Sequence, residues 1–188
     1  MSLLLLMVFL FANPAAPTRH LLVRLNETTS GPVGGQKGFG CLEIYDDGQV
    51  SYFHAARWDG VTFQDQNGHK VNFDSTRKTQ TKLEEYEVSQ LREFLKTKDF
   101  KSLDASFPPP HTPIDYFEAT HIEAFENDQL TKAIDVREFR VASMVERQRY
   151  PASLLILMND LEKIEERAVH GTATDITPAC AMDLTPTK

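Results

Sequence analysis

Basic runs are missing from this chain of 188 residues. Its 20 Lys and Arg are scattered, none in a stretch interleaved with aromatics, and 27 Asp and Glu leave a net charge of −7. Such a balance does not neutralise phosphates, which excludes nucleic acid as the expected partner. Cysteine is scarce, with two residues and no C-x-x-C, and the six histidines form neither H-x-H nor H-E-x-x-H. Metal sites draw on spaced sets of such ligands, so no metal is expected and no cofactor is called for. No G-x-S-x-G elbow presents a serine, and no catalytic residue is assigned. Apolar runs stop well short of the roughly 20 residues that a membrane-spanning helix needs.

What is present begins at the N-terminus. The apolar run Leu3–Ala12 is followed by small residues at Ala15 and Ala16, and the first charged side chain is Arg19. Residues 1–16 therefore read as a signal peptide, and the remainder as exported, periplasmic or secreted, with no transmembrane segment after signal removal. The run lacks a preceding Lys or Arg, and a hydrophobic first strand is the other reading of the same residues. Hydrophobic residues at 41% and charged ones at 25% supply a core for one folded domain, placed at 17–168, with a flexible Thr/Pro-rich tail at 169–188. Cys41 and Cys180 fit one disulfide in an oxidising compartment, or two free thiols. Asn26-Glu27-Thr28 matches the glycosylation sequon, which matters only in a eukaryotic secretory pathway.

Glycine is concentrated. "GPVGGQKGFG", residues 31–40, carries five of the nine glycines and a lysine, the composition of a phosphate cradle. A phosphate loop needs a helix N-terminus behind it, whereas Lys37 is followed by Gly38 and strand formers, and the third glycine of G-x-G-x-x-G is missing. The segment reads as an inter-strand loop. Strands are expected over 19–28, 39–45 and 49–56, the last two joined by Asp46-Asp47-Gly48, since an Asp-Gly step tolerates the positive φ of a hairpin turn. Residues 57–70 are turn-rich, with Asp65-Gln66-Asn67-Gly68 a turn rather than a calcium loop, and 71–84 is a polar edge strand. Helical spacing of Val88, Leu91, Phe94 and Leu95 predicts a helix over 84–100. Prolines between Pro108 and Pro113 make a stiff connector, and paired strands follow around a turn at Asn127-Asp128. Leu154, Leu157, Met158, Leu161 and Ile164 predict a last helix after Pro151.

The sum is an α+β fold: a twisted antiparallel sheet of about five strands with two helices packed on one face. His121 and Glu123 share a strand face, as a polar stripe or a local pair. Trp58, the single tryptophan, lies with Phe63 in a loop, as a partner contact or as a cap on the core. The order of elements, with Gly34-Gly35, Asp99-Phe100 and the "PASLLILMNDL" helix, resembles small exported bacterial α+β domains of the emfourin type. That resemblance covers about residues 20–165 and implies a binding protein of the proteinase-inhibitor kind, with a protein such as a proteinase as partner. Extra material at 57–82 and 137–149, and the absence of a Gly-Gly-Phe sequence in the glycine loop, depart from the pattern. The expected contact residues are Gly34, Gly35, Lys37, Phe39 and Trp58. Two further functions stay open: a small hydrolase whose triad assembles in space, and a structural envelope protein.

Overall fold

β-branched and aromatic residues alternating with polar ones build a sheet, and the computed structural model, which describes residues 19–30, 36–58, 75–110 and 117–181, shows its extent. In chain order the elements are β1 (Leu21–Ser30), β2 (Gln36–Tyr45), β3 (Gln49–Trp58), β4 (Ser75–Lys82), α1 (Glu85–Lys96), α2 (Lys98–Lys101), β5 (Ser106–Phe107), β6 (Phe117–Glu126), β7 (Gln129–Arg137), α3 (Met144–Arg147), α4 (Ala152–Val169) and β8 (Thr172–Ala173). They form one eight-stranded sheet in the order β5-β7-β6-β1-β2-β3-β4-β8. Every pairing is antiparallel except β5 with β7. The α+β class holds, but among the described residues the expected five or so strands become eight and the two helices become four. The additions are short: β5 and β8 have two residues each, α2 and α3 four. Pieces of that length carry no periodicity to read.

Both hairpins sit where turn residues allow them. Gly48 closes the β2–β3 turn at φ +84°, with its N–H donating to the Tyr45 carbonyl at 3.0 Å. Asn127 and Asp128 take φ of 51° and 62° in the β6–β7 turn, the paired positive values that a two-residue hairpin requires. The predicted helix over 84–100 is two helices. Thr97, at φ −61° and ψ 151°, ends α1, and its hydroxyl accepts from the Phe100 N–H at 3.2 Å to start α2. That break turns Phe100 into the core beside Phe94.

Period-two alternation divides the sheet into two unlike faces. On one face Val23, Leu25, Leu42, Ile44, Ile122 and Ile134 meet Val88 and Leu91 of α1 and the Leu154, Leu157, Met158, Leu161 row of α4. Burying side chains of this size stabilises the fold by about 2 kcal/mol each. The opposite face holds a smaller cluster, Phe39, Cys41, Phe53 and Ala55. After α4 the chain pairs with β4 through β8 and then crosses to this second face, where Cys180 and Ala181 pack on that cluster. No described helix is long and apolar enough to cross a membrane.

Candidate functional site

Of the residues expected to make contacts, Lys37, Phe39 and Trp58 are described, and the β2–β3 register brings Lys37 and Trp58 to the same end of the sheet. Gly34, Gly35 and Phe63 lie outside the described residues, as does the Asp65–Gly68 turn. Lys37 and Trp58 belong to the β2–β3 ladder, Lys37 opposite Arg57 and Trp58 opposite Gln36, at the end away from the Asp46–Gly48 turn. Trp58 therefore ends a strand, where a loop position was expected. Phe39 is 2% exposed, 6.2 Å from Phe53 between ring centroids, beneath the C-terminal segment. A ring so enclosed packs the sheet and is not presented to a partner.

What encloses it is a strap. Cys41 and Cys180 are joined as a disulfide with Cα atoms 5.9 Å apart. Around that bond the Lys78 ammonium donates to the Thr177 hydroxyl at 2.7 Å, the Thr174 N–H to the Lys78 carbonyl at 3.2 Å, and the Ala179 N–H to the Glu43 carboxylate at 3.2 Å. Glu43 is 1% exposed yet fully served, since Arg24 Nε and the Tyr45 hydroxyl also donate to it, at 3.1 and 2.8 Å. The segment read as a Thr/Pro-rich tail is thus laid against the sheet as far as Ala181. On the same face Asn26 has its amide oxygen buried between β2 and β6 without a hydrogen bond, which leaves the sequon asparagine poorly placed for a glycan. His121 pairs with Asp135 at 2.7 Å and approaches Glu123 at 3.7 Å, so the polar stripe is an ion-pair ladder.

A second group of polar residues lies on the helical face. Glu27 of β1, Glu118 of β6 and Glu165 of α4 are all buried around Arg140, which ion-pairs with Glu165 and, at 2.5 Å, with Glu27, while its backbone N–H donates to Glu118. One guanidinium cannot neutralise three carboxylates out of water. Burial, with the Glu165 charge added, outweighs Arg140 at Glu27 and pushes its pKa up to about 8. Burial raises Glu118 as well and lowers His54 nearby. Tyr52 and His54 line the same hollow, but among the described residues no hydroxyl or thiol is hydrogen-bonded to a histidine. The Cys41 sulfur is committed to the disulfide. Among the described residues, no three His, Cys, Asp or Glu side chains are grouped to hold a metal.

The third feature is a cleft of about 570 Å³ at the turn end of the sheet, between α1, α2, the β2–β3 turn and the β6–β7 hairpin. Its apolar lining is Leu22, Leu95, Phe100 and Phe125. Its charged lining is Arg92, Lys96, Lys101 and Lys132 against Asp46 and Glu126. Within the lining, four cationic side chains thus stand against two carboxylates, and Lys96 is also ion-paired with Glu93 at 3.3 Å. His20 borders the cleft too; its hydrogen bond to Asp128, at 2.6 Å, raises its pKa above the ordinary histidine value and pairs it with that carboxylate.

Hydrogen bonds tie the walls of the cleft together. The His20 N–H donates to Asp46 Oδ1 and the Leu21 N–H to Asp128 Oδ1, both at 3.0 Å, tying the start of β1 to both turns. Arg92 donates to the Asp46 carbonyl at 3.3 Å, and Lys132 to the carbonyls of Lys101 and Leu103 at the end of α2. Sequence reasoning missed this site because its cations are at 92, 96, 101 and 132. Only the i, i+4 spacing of Arg92 and Lys96 could have flagged a common face. Neither protein-family models, nor curated proteins, nor solved structures give a match to this chain.

Proposed function

We propose that this protein is an exported, non-enzymatic binding module that engages its ligand at the cleft between α1, α2 and the two hairpin turns. The observation that carries the reading is the combination of volume and lining. Ligand sites run to roughly 300–1,000 Å³ with apolar walls and a few placed polar groups, and a cleft of about 570 Å³ lined by Leu22, Leu95, Phe100 and Phe125 and by four cationic side chains fits that description. In the hollow around Arg140 the charges are engaged with one another, and among the described residues neither the Thr29 nor the Tyr52 hydroxyl is hydrogen-bonded to a histidine, so we read it as supporting the fold. The emfourin-like order of elements adds a reason to try a metalloproteinase first among protein partners.

A fragment survey by NMR tests the site. Amide and methyl shifts of the full chain are followed as small amphipathic fragments are added, and the largest changes are expected at Leu22, Leu95, Lys101 and Phe125. Changes concentrated elsewhere, or none at all, sink the cleft as binding surface. Titration against a metalloproteinase addresses the inhibitor part separately, with loss of peptidase activity as the expected result.

A further inference from the structure

We infer that the cleft receives an acidic peptide segment of a partner protein, one in which carboxylates flank an apolar side chain. This rests on the cleft being the binding surface. It goes further by naming the chemistry of the occupant.

The charged groups set the sign of the occupant. Arg92 and Lys96 come from α1, Lys101 from α2 and Lys132 from β7, so the cations are spread over three elements around the opening. Three of the four already make a hydrogen bond within the protein: Arg92 to the Asp46 carbonyl, Lys96 to Glu93 at 3.3 Å, and Lys132 to carbonyls at the end of α2. Lys101 is exposed. Groups with protein partners of their own do not converge as a chelating nest on one small anion. With Asp46, Glu126 and the Glu93 carboxylate beside Lys96 set against them, they leave a small positive excess spread around the opening, which favours carboxylates placed along a chain over one compact anion.

The floor sets the rest. Phe100 is 1% exposed and Leu22 7%, whereas Leu95 and Phe125 are only partly buried, so apolar surface at the cleft remains open to a side chain from outside. Arg24 lies over the Phe125 ring at 5.4 Å and holds it in place. Rim residues Lys96, Lys101, Glu126 and Asn127 are exposed, which gives an extended segment a path across the opening. Asp46 and Glu126 repel carboxylates at the β-turn side, so the acidic residues of the segment are expected over α1 and α2.

The test uses the full oxidised chain and the blocked tetrapeptide acetyl-Glu-Phe-Glu-Leu-amide, followed by NMR titration. Three controls accompany it: the Gln-for-Glu peptide, the same length with Lys for Glu, and free 4-phenylbutyrate. The acidic peptide is expected to shift cleft resonances and to bind about 10-fold tighter than its Gln counterpart, with the Lys peptide weakest. Screening makes that advantage fall severalfold between about 50 and 500 mM NaCl. A Lys96→Glu, Lys101→Glu variant, altered only at exposed positions and checked by its thermal midpoint, is expected to lose the preference. Equal binding of the acidic and Gln peptides at the cleft overturns the inference while leaving the cleft as a site. Tighter binding of 4-phenylbutyrate than of the peptide overturns the peptide as source. Fragments and peptides that all bypass the cleft overturn the underlying reading.

Discussion

At the scale of single residues, two buried glutamates differ in how their oxygens are served. Glu43 receives Arg24, Tyr45 and the Ala179 N–H, and its oxygens are served. Glu27 shares Arg140 with Glu165 and Glu118 and retains its proton up to about pH 8 in the folded chain, against 4.5 for an ordinary glutamate. Between those two values the folded state binds more protons than the unfolded one at this position, so the contribution of Glu27 to stability is full below pH 4.5 and falls away as pH rises through about 8. Glu118 acts in the same direction, while His54, lowered by burial, adds stability as pH rises toward 6.5. The difference between wild type and Glu27→Gln isolates one group from this background. Urea midpoints measured across the window are expected to decline less steeply with pH in the variant; parallel profiles would remove the assignment. Arg140→Met removes the guanidinium that Glu165 ion-pairs with inside the fold, and at neutral pH it is expected to cost about 2–4 kcal/mol in the same measurement.

At the scale of elements, the β2–β3 hairpin hangs on one glycine. A Cβ on Gly48 would lie 2.7 Å from the Leu83 carbonyl oxygen, at a φ of +84° that L side chains rarely adopt. The same residue accepts the Leu83 N–H at 2.9 Å and so places the start of α1. Gly48→Ala is expected to destabilise by about 1–3 kcal/mol, read from a urea curve, and to weaken ligand binding at the cleft, because Asp46 and Arg92 move with the turn. An unchanged midpoint would show that the turn re-forms around the methyl. This hairpin was legible because Asp47-Gly48 is a local signal, and so was the β6–β7 turn at Asn127-Asp128. The long helix α4 was legible from its apolar row. The break at Thr97 was not, since α1 and α2 read as one amphipathic run and only the burial of Phe100 requires the bend. The two-residue strands β5 and β8 are products of tertiary contact. The cleft belongs to the same class, as topology brings residues 92, 96, 101 and 132 together and no local pattern encodes it.

At the scale of the whole molecule, the chain encloses its sheet from both sides, with helices on one face and its own C-terminal segment on part of the other. A link between positions separated by 139 residues restricts the unfolded ensemble strongly, by about 5 kcal/mol in the chain-entropy model. Among the described residues the strap is also held by the Thr174 N–H on the Lys78 carbonyl, Lys78 with Thr177, Glu43 with Ala179, and the packing of Ala181 on Phe39 and its neighbours. Removing the disulfide should therefore act on the strap and on global stability while leaving the helix-faced core assembled, because Val23, Ile44, Ile122 and Leu161 belong to the separate cluster on the other face. For Cys41→Ser, Cys180→Ser the expected results are a loss of about 3–5 kcal/mol in urea unfolding, rapid proteolysis between Thr174 and Ala181, and retained far-UV circular dichroism. Binding at the cleft should survive, since it lies at the turn end, lined from α1, α2 and the β6–β7 hairpin. A variant that resists cleavage there as well as the wild type would show that hydrogen bonds and packing alone hold the strap. Loss of the sheet signal would show that the bridge is needed for the core to form.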